Sequence, residues 1–95
     1  MPYIKQEVRD IIDPVLVKLP DDLSIGDVNY IMTQVCCKYL KQKGLNYENI
    51  NAVVGALECA KLEAYRRVAV GYENRKIDLN GDAYPVELTY TSPAK

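Results

Sequence analysis

One segment of the sequence carries residue types that helix packing alone does not require: AYRRVAVGYENRKIDLNGDAYP, residues 64–85. From Lys61 to Lys76 five cations (Lys61, Arg66, Arg67, Arg75, Lys76) face two acids (Glu63, Glu73), a local excess of three positive charges in a chain of formal net charge −1. Arginine is the side chain best suited to bidentate phosphate contact and to stacking on a base. On an α-helix turning about 100° per residue, Leu62, Tyr65, Ala69, Tyr72 and Lys76 fall along one stripe, so two tyrosines two turns apart can flank a nucleobase. The expected contacts to a small anionic nucleotide are therefore Arg66, Arg67, Tyr65, Tyr72 and Lys76. Asn80 and Asp82, in the Asn-Gly-Asp turn, add polar contacts, and Tyr3 and Lys5 on the N-terminal arm close the site from a neighbouring chain. A plainer reading stands beside this one. Glu63 and Arg67 make an i,i+4 pair on a solvated helix, and the tyrosines pack under the C-terminal tail.

The residue types that are missing narrow the chemistry. The chain has no His, Trp or Phe, and all eight aromatics are Tyr. Without His, the commonest general base and the commonest metal ligand are both absent. An enzyme built on Tyr or Lys, with Asp78 or Asp82 holding a metal, is weighed and set below the binding reading. Asp78, Asn80 and Asp82 open like a Ca²⁺ loop, but the glycine is out of place and Thr89 stands where the loop needs Glu. No catalytic residue, metal or cofactor is expected. Three cysteines, two of them adjacent (Cys36, Cys37, Cys59), do not suggest a disulfide framework and read as reduced thiols of a cytoplasmic protein. The near-neutral net charge argues against general affinity for nucleic acid or an anionic membrane. No apolar run approaches the roughly 18 residues of a membrane span, and MPYIKQEVRD does not have the make-up of a signal peptide.

These residues need positioning, and the pattern predicts an all-α fold: a single helical domain over 1–95, with about three main helices, an arm at 1–5 and an extended tail after residue 80. A first helix is expected from near Lys5 to about Leu19, with Val8, Ile11, Ile12, Val15, Leu16 and Leu19 on one face and a break or kink at Pro14. A second is expected over Ile25–Lys43, with Ser24 as N-cap, Asp27 completing an imperfect capping box, and Gly44 ending it. A third is expected from Tyr47 to Ile77, capped by Asn46 or Asn49 and interrupted at most at Gly55 and Gly71. Its stripe of Leu57, Ala60, Ala64 and Val68 is expected to pack on the second helix. Small residues at Gly55, Ala56, Cys59, Ala60 and Ala64 let another helix approach closely. A second stripe then asks for a second partner, and a homo-oligomer is expected. Val86–Tyr90 alternates like a short strand.

MPYIKQE, GDVNYIMTQ, GLNYENINAVVGALECAKLEAYRRV and YENRKIDLNGDAY together resemble a small family of tailed phages and bacteria known as a domain of unknown function. The resemblance covers residues 1–84; the chain beyond Tyr84 departs from the pattern. Similar small helical phage proteins are sponges that sequester the cyclic nucleotide signals of bacterial anti-phage defence. The resemblance thus implies a non-enzymatic anti-defence protein of the host cytoplasm. The alternative is a protein–protein inhibitor or adaptor that docks the same helix face on a host protein.

Overall fold

A computed structural model describes residues 2–89. The elements are α1 (Gln6–Leu16), α2 (Ile25–Lys43), α3 (Tyr47–Ala64), a π-helical segment (Tyr65–Ala69), α4 (Val70–Asn80) and a 3₁₀ turn (Val86–Leu88). The protein is all-α, with no strand among the described residues. Within the expected extended tail, the strand-like alternation from Val86 forms no strand but a 3₁₀ turn at Val86–Leu88, with Thr89 Oγ1 donating to the Val86 carbonyl at 2.9 Å. Tyr90 lies outside the described residues. The chain divides into two compact units between Ala60 and Lys61.

In the first unit the arm turns back at once. The Ile4 amide donates to the Pro2 carbonyl at 3.0 Å, and half-buried Arg9 donates its Nε to the Ile4 carbonyl at 2.8 Å. Pro14 does not break α1; it sits inside the helix, which ends two residues later at Leu16. Its missing N–H removes one helical bond, to the Asp10 carbonyl, close to the end of the helix. The chain then tightens through Lys18 to Val15 and Leu19 to Leu16 backbone bonds.

The second helix has the expected bounds, and its ends explain why. Ser24 Oγ accepts from the Asp27 amide, while the Asp27 carboxylate accepts from the Ser24 amide, each at 3.0 Å. This reciprocal box satisfies two donors that a helix start leaves open. At the other end Lys41 and Lys43 lie in the last turn, where cations oppose the negative end of the helix dipole. Gly44 closes the helix at φ 113°, ψ 148°, its amide donating to the Leu40 carbonyl at 2.8 Å. Both candidate caps for α3 are used, in different ways. Asn46 Oδ1 accepts from the Asn49 amide at 2.9 Å, and Asn49 Nδ2 donates to the carbonyls of Lys43 and Gly44 at 3.1 and 2.9 Å. One asparagine starts α3, and the next ties it to the end of α2.

The interior did not form as expected. No described residue is buried; Leu19, Val28, Ile31, Cys36, Tyr39, Leu40 and Val53 are half-buried at best. On α1, Ile11 is 72% exposed and Val15 62%, so these two residues of its apolar face stand largely in water. Of the stripe expected to pack on α2, Leu57 (42% exposed) and Ala60 line a groove against α2 in the first unit, while Ala64 and Val68 belong to the second.

The glycines give a direct stability test. Gly44 holds a backbone conformation that L-residues rarely adopt, so Gly44→Ala should cost about 1–3 kcal/mol. Gly55 lies mid-helix with open space around the position of a Cβ, so Gly55→Ala should be neutral or stabilising by up to about 1 kcal/mol. Denaturant unfolding of the two variants should move in opposite directions from wild type.

Candidate functional site

The cationic segment begins in the second unit with a change of helix type. The Val70 amide donates to the Tyr65 carbonyl, five residues back, in place of the α-helical four. The backbone remains right-handed helical at Ala64, Ala69 and Val70. The interruption expected at Gly55 or Gly71 falls instead on Tyr65-Arg66-Arg67-Val68-Ala69, and the helix continues three residues past Ile77 to Asn80. Neither glycine causes it. Single turns of π-helix cost hydrogen-bond geometry and occur frequently at functional sites. This one coincides with the residues whose types suggested binding. Its wider winding also turns Tyr72 away from the azimuth that a pure α-helix would give it relative to Tyr65.

Arg66 is engaged from within the chain. Its Nε donates to Glu63 Oε1 at 2.9 Å and its Nη2 to Glu63 Oε2 at 2.6 Å. This two-pronged pair at i,i+3 takes the place of the expected Glu63–Arg67 pair. Glu63 is the more sheltered partner, with its side chain 20% exposed against 65% for Arg66. The carboxylate therefore fixes the guanidinium in place while leaving most of it in water. Arg67 is exposed and has no hydrogen-bond or ion-pair partner among the described residues. Tyr65 beside it is 61% exposed.

Further along, Lys76 Nζ lies 5.6 Å from the centroid of the Tyr72 ring, a cation–π contact across one turn of α4. Tyr72 remains 54% exposed. Asn80 is the last residue of α4, and Gly81 turns the chain at φ 92°. The carboxylate of Asp82 is used locally, accepting from the Tyr84 amide at 2.9 Å to hold the turn. Tyr3 and Lys5 belong to the first unit. Lys5 is the N-cap residue of α1, with its carbonyl accepting from Val8 and Arg9, and Tyr3 lines a shallow recess with Arg9 and Asp13. Within the second unit, then, Tyr65, Arg66 and Arg67 share the π-helical segment, and Tyr72 and Lys76 form a separate pair on α4.

A second feature was read in the sequence only as ordinary core. Between α2 and α3 runs an apolar groove of about 490 Å³, lined from one side by Ile31, Val35 and Tyr39 and from the other by Ala52, Ala56 and Ala60. No charged residue lines it. The sequence signal for it was the run of small residues on the third helix, which allows a close approach but does not say by what.

No helix among the described residues is long and apolar enough to cross a membrane. The chain matches, over residues 1–83, the family described as Domain of unknown function (DUF6899). It belongs to that family. No curated protein and no solved structure matches the chain.

The Glu63–Arg66 pair is solvent-facing on the arginine side, so its effect on stability should be small. Glu63→Gln should change unfolding free energy by at most about 1 kcal/mol, with a smaller difference at high salt. Thermal melts at two ionic strengths check this.

Proposed function

We propose that this protein is a non-enzymatic, homo-oligomeric binder of a small anionic nucleotide signal, a cyclic dinucleotide or a related molecule. In this reading it is a phage anti-defence sponge acting in the host cytoplasm. The observation that carries the reading is Arg67, an exposed cation without a partner among the described residues, beside exposed Tyr65 on a π-helical turn. A phosphate supplies the missing counter-charge, and an open tyrosine face accepts a base. Arg66 is already oriented by Glu63, so ordering it on a ligand loses less side-chain freedom. Lys76, held over Tyr72, adds a second cation and a second ring. Asn80 serves through the turn. Asp82 contributes by shaping that turn, since its carboxylate is occupied there. Tyr3 and Lys5 would come from a neighbouring copy. Sequestration requires affinity and no turnover, and the residue set offers cations and rings without the usual general base.

One observation favours the second reading, a protein–protein inhibitor or adaptor. Leu62, Val68 and Leu79 in the same unit are 56%, 69% and 70% exposed, more apolar surface than a nucleotide needs. The two readings separate in one experiment. Isothermal titration against cyclic di- and trinucleotides and ADP-ribose-derived signals should show binding, and heat denaturation should release the ligand intact. Arg67→Ala should weaken binding at least about tenfold, the equivalent of about 1.4 kcal/mol, with the fold unchanged. Arg66→Ala should also weaken it. Full affinity in the double variant removes these arginines from the site. Altered ligand points to an enzyme, and no binding to any member moves the function to a host protein.

A further inference from the structure

We infer that the recess between the N-terminal arm and α1 reads the base of the bound nucleotide, and that this base is guanine. The inference rests on the nucleotide part of the reading above, in which Tyr3 is already a contact, and it adds which base is chosen. The arm makes the recess by turning back on α1: the Ile4 amide bonds to the Pro2 carbonyl, and Arg9 Nε donates to the Ile4 carbonyl at 2.8 Å. Pro2, Tyr3 and Ile4 line it from the arm, and Arg9, Ile12 and Asp13 from α1, all within the first unit. Its volume is about 320 Å³. That lies at the low end of small-molecule sites, about 300–1,000 Å³, and suits a single base rather than a whole dinucleotide.

Two charges in the recess are left without counterparts. Arg9 and Asp13 stand four apart on α1, a spacing at which opposite charges can pair. No ion pair joins them, and among the described residues the Ile4 carbonyl is the one side-chain partner of either. That bond uses Nε and steadies the half-buried guanidinium, leaving Nη1 and Nη2 as a fork of donors. The ionised Asp13 carboxylate offers acceptors. Guanine is the base whose edges match both. Its O6 and N7 accept from an arginine fork, the commonest specific contact to a base, and its N1–H and 2-amino groups donate side by side to a carboxylate. Adenine keeps N7 but carries an amino donor where guanine has O6, so it cannot take the fork. Tyr3, 53% exposed, supplies a ring on which a base can stack, and Pro2 and Ile12 add apolar contact. A free amino acid also brings one positive and one negative charge, but it makes no demand on the ring.

The test titrates the full chain, isotope-labelled for NMR, with the 5′-monophosphates of guanosine, inosine and adenosine (GMP, IMP, AMP), which share one phosphate and differ in the base. GMP should shift the amides of Tyr3, Ile4, Arg9, Ile12 and Asp13 and bind at least about tenfold more tightly than AMP. IMP, which keeps O6 and N7 but lacks the 2-amino group, should fall between them. Asp13→Asn keeps the shape and removes the paired acceptor, so it should weaken GMP at least about tenfold and leave AMP unchanged, with the circular dichroism of the wild type. Arg9→Lys keeps the charge without the fork and should narrow the gap between GMP and AMP. Equal affinity for GMP and AMP, unmoved recess amides, or an Asp13→Asn chain that keeps its GMP affinity each overturns the inference. So does glycine or leucine shifting these amides at lower concentration than GMP. The wider reading fails separately. Base selection that is indifferent to Arg67→Ala leaves the inference standing without the second-unit site, and nucleotide binding that depends on Arg67 but ignores the base overturns the inference alone.

Discussion

Short amphipathic helices need something to lie against, and none of the described residues of these helices is buried. A helix hides its apolar stripe only by placing it on another apolar surface, and each such burial removes side-chain area from water at about 25 cal/mol per Å². Here α1 leaves Ile11 and Val15 in solvent, α2 leaves Val35, and the π-helical segment leaves Val68. The apolar content is ordinary for a folded protein, at 48% of residues. Among the described residues none is buried: the groove between α2 and α3 lies in the first unit, and the second carries exposed rings and cations after Ala64.

Against that openness, the helix ends are closely specified. The Ser24–Asp27 box, the Asn46 cap, the Asn49 side chain on the Lys43 and Gly44 carbonyls, and the Asp82 turn satisfy backbone groups that would otherwise depend on water. Two glycines with positive φ, Gly44 and Gly81, set where α2 and α4 stop. The local plan is therefore written in caps and turns. The Glu63–Arg66 pair is of the same local kind, yet it also presents a guanidinium beside an uncompensated neighbour.

Those local devices are what the sequence makes legible. Ser24, Asp27 and Gly44 give α2 its bounds because capping chemistry acts within four residues. Pro14 misleads, since its cost depends on its distance from the helix end: in the last turn it removes little. The π-helical segment leaves no trace in propensity, because its residues are ordinary helix formers and only the bonding pattern changes. The stripe Leu57, Ala60, Ala64, Val68 shows that a face is apolar, but periodicity carries no information about what covers it. Family membership was readable from long matching segments. The role of Arg66 and Arg67 was readable only as chemistry, since charge and aromatic spacing state what a site can hold and not what it does hold.

The range of the hydrogen bonds has a kinetic consequence. Each side-chain bond described above joins residues at most six apart in the chain. Contacts of such short loop closure form early, on the order of a microsecond for helices, and do not wait for the rest of the polypeptide. Helical segments can thus be complete as the chain leaves the ribosome, each one set by residues already synthesised within a turn or two of it.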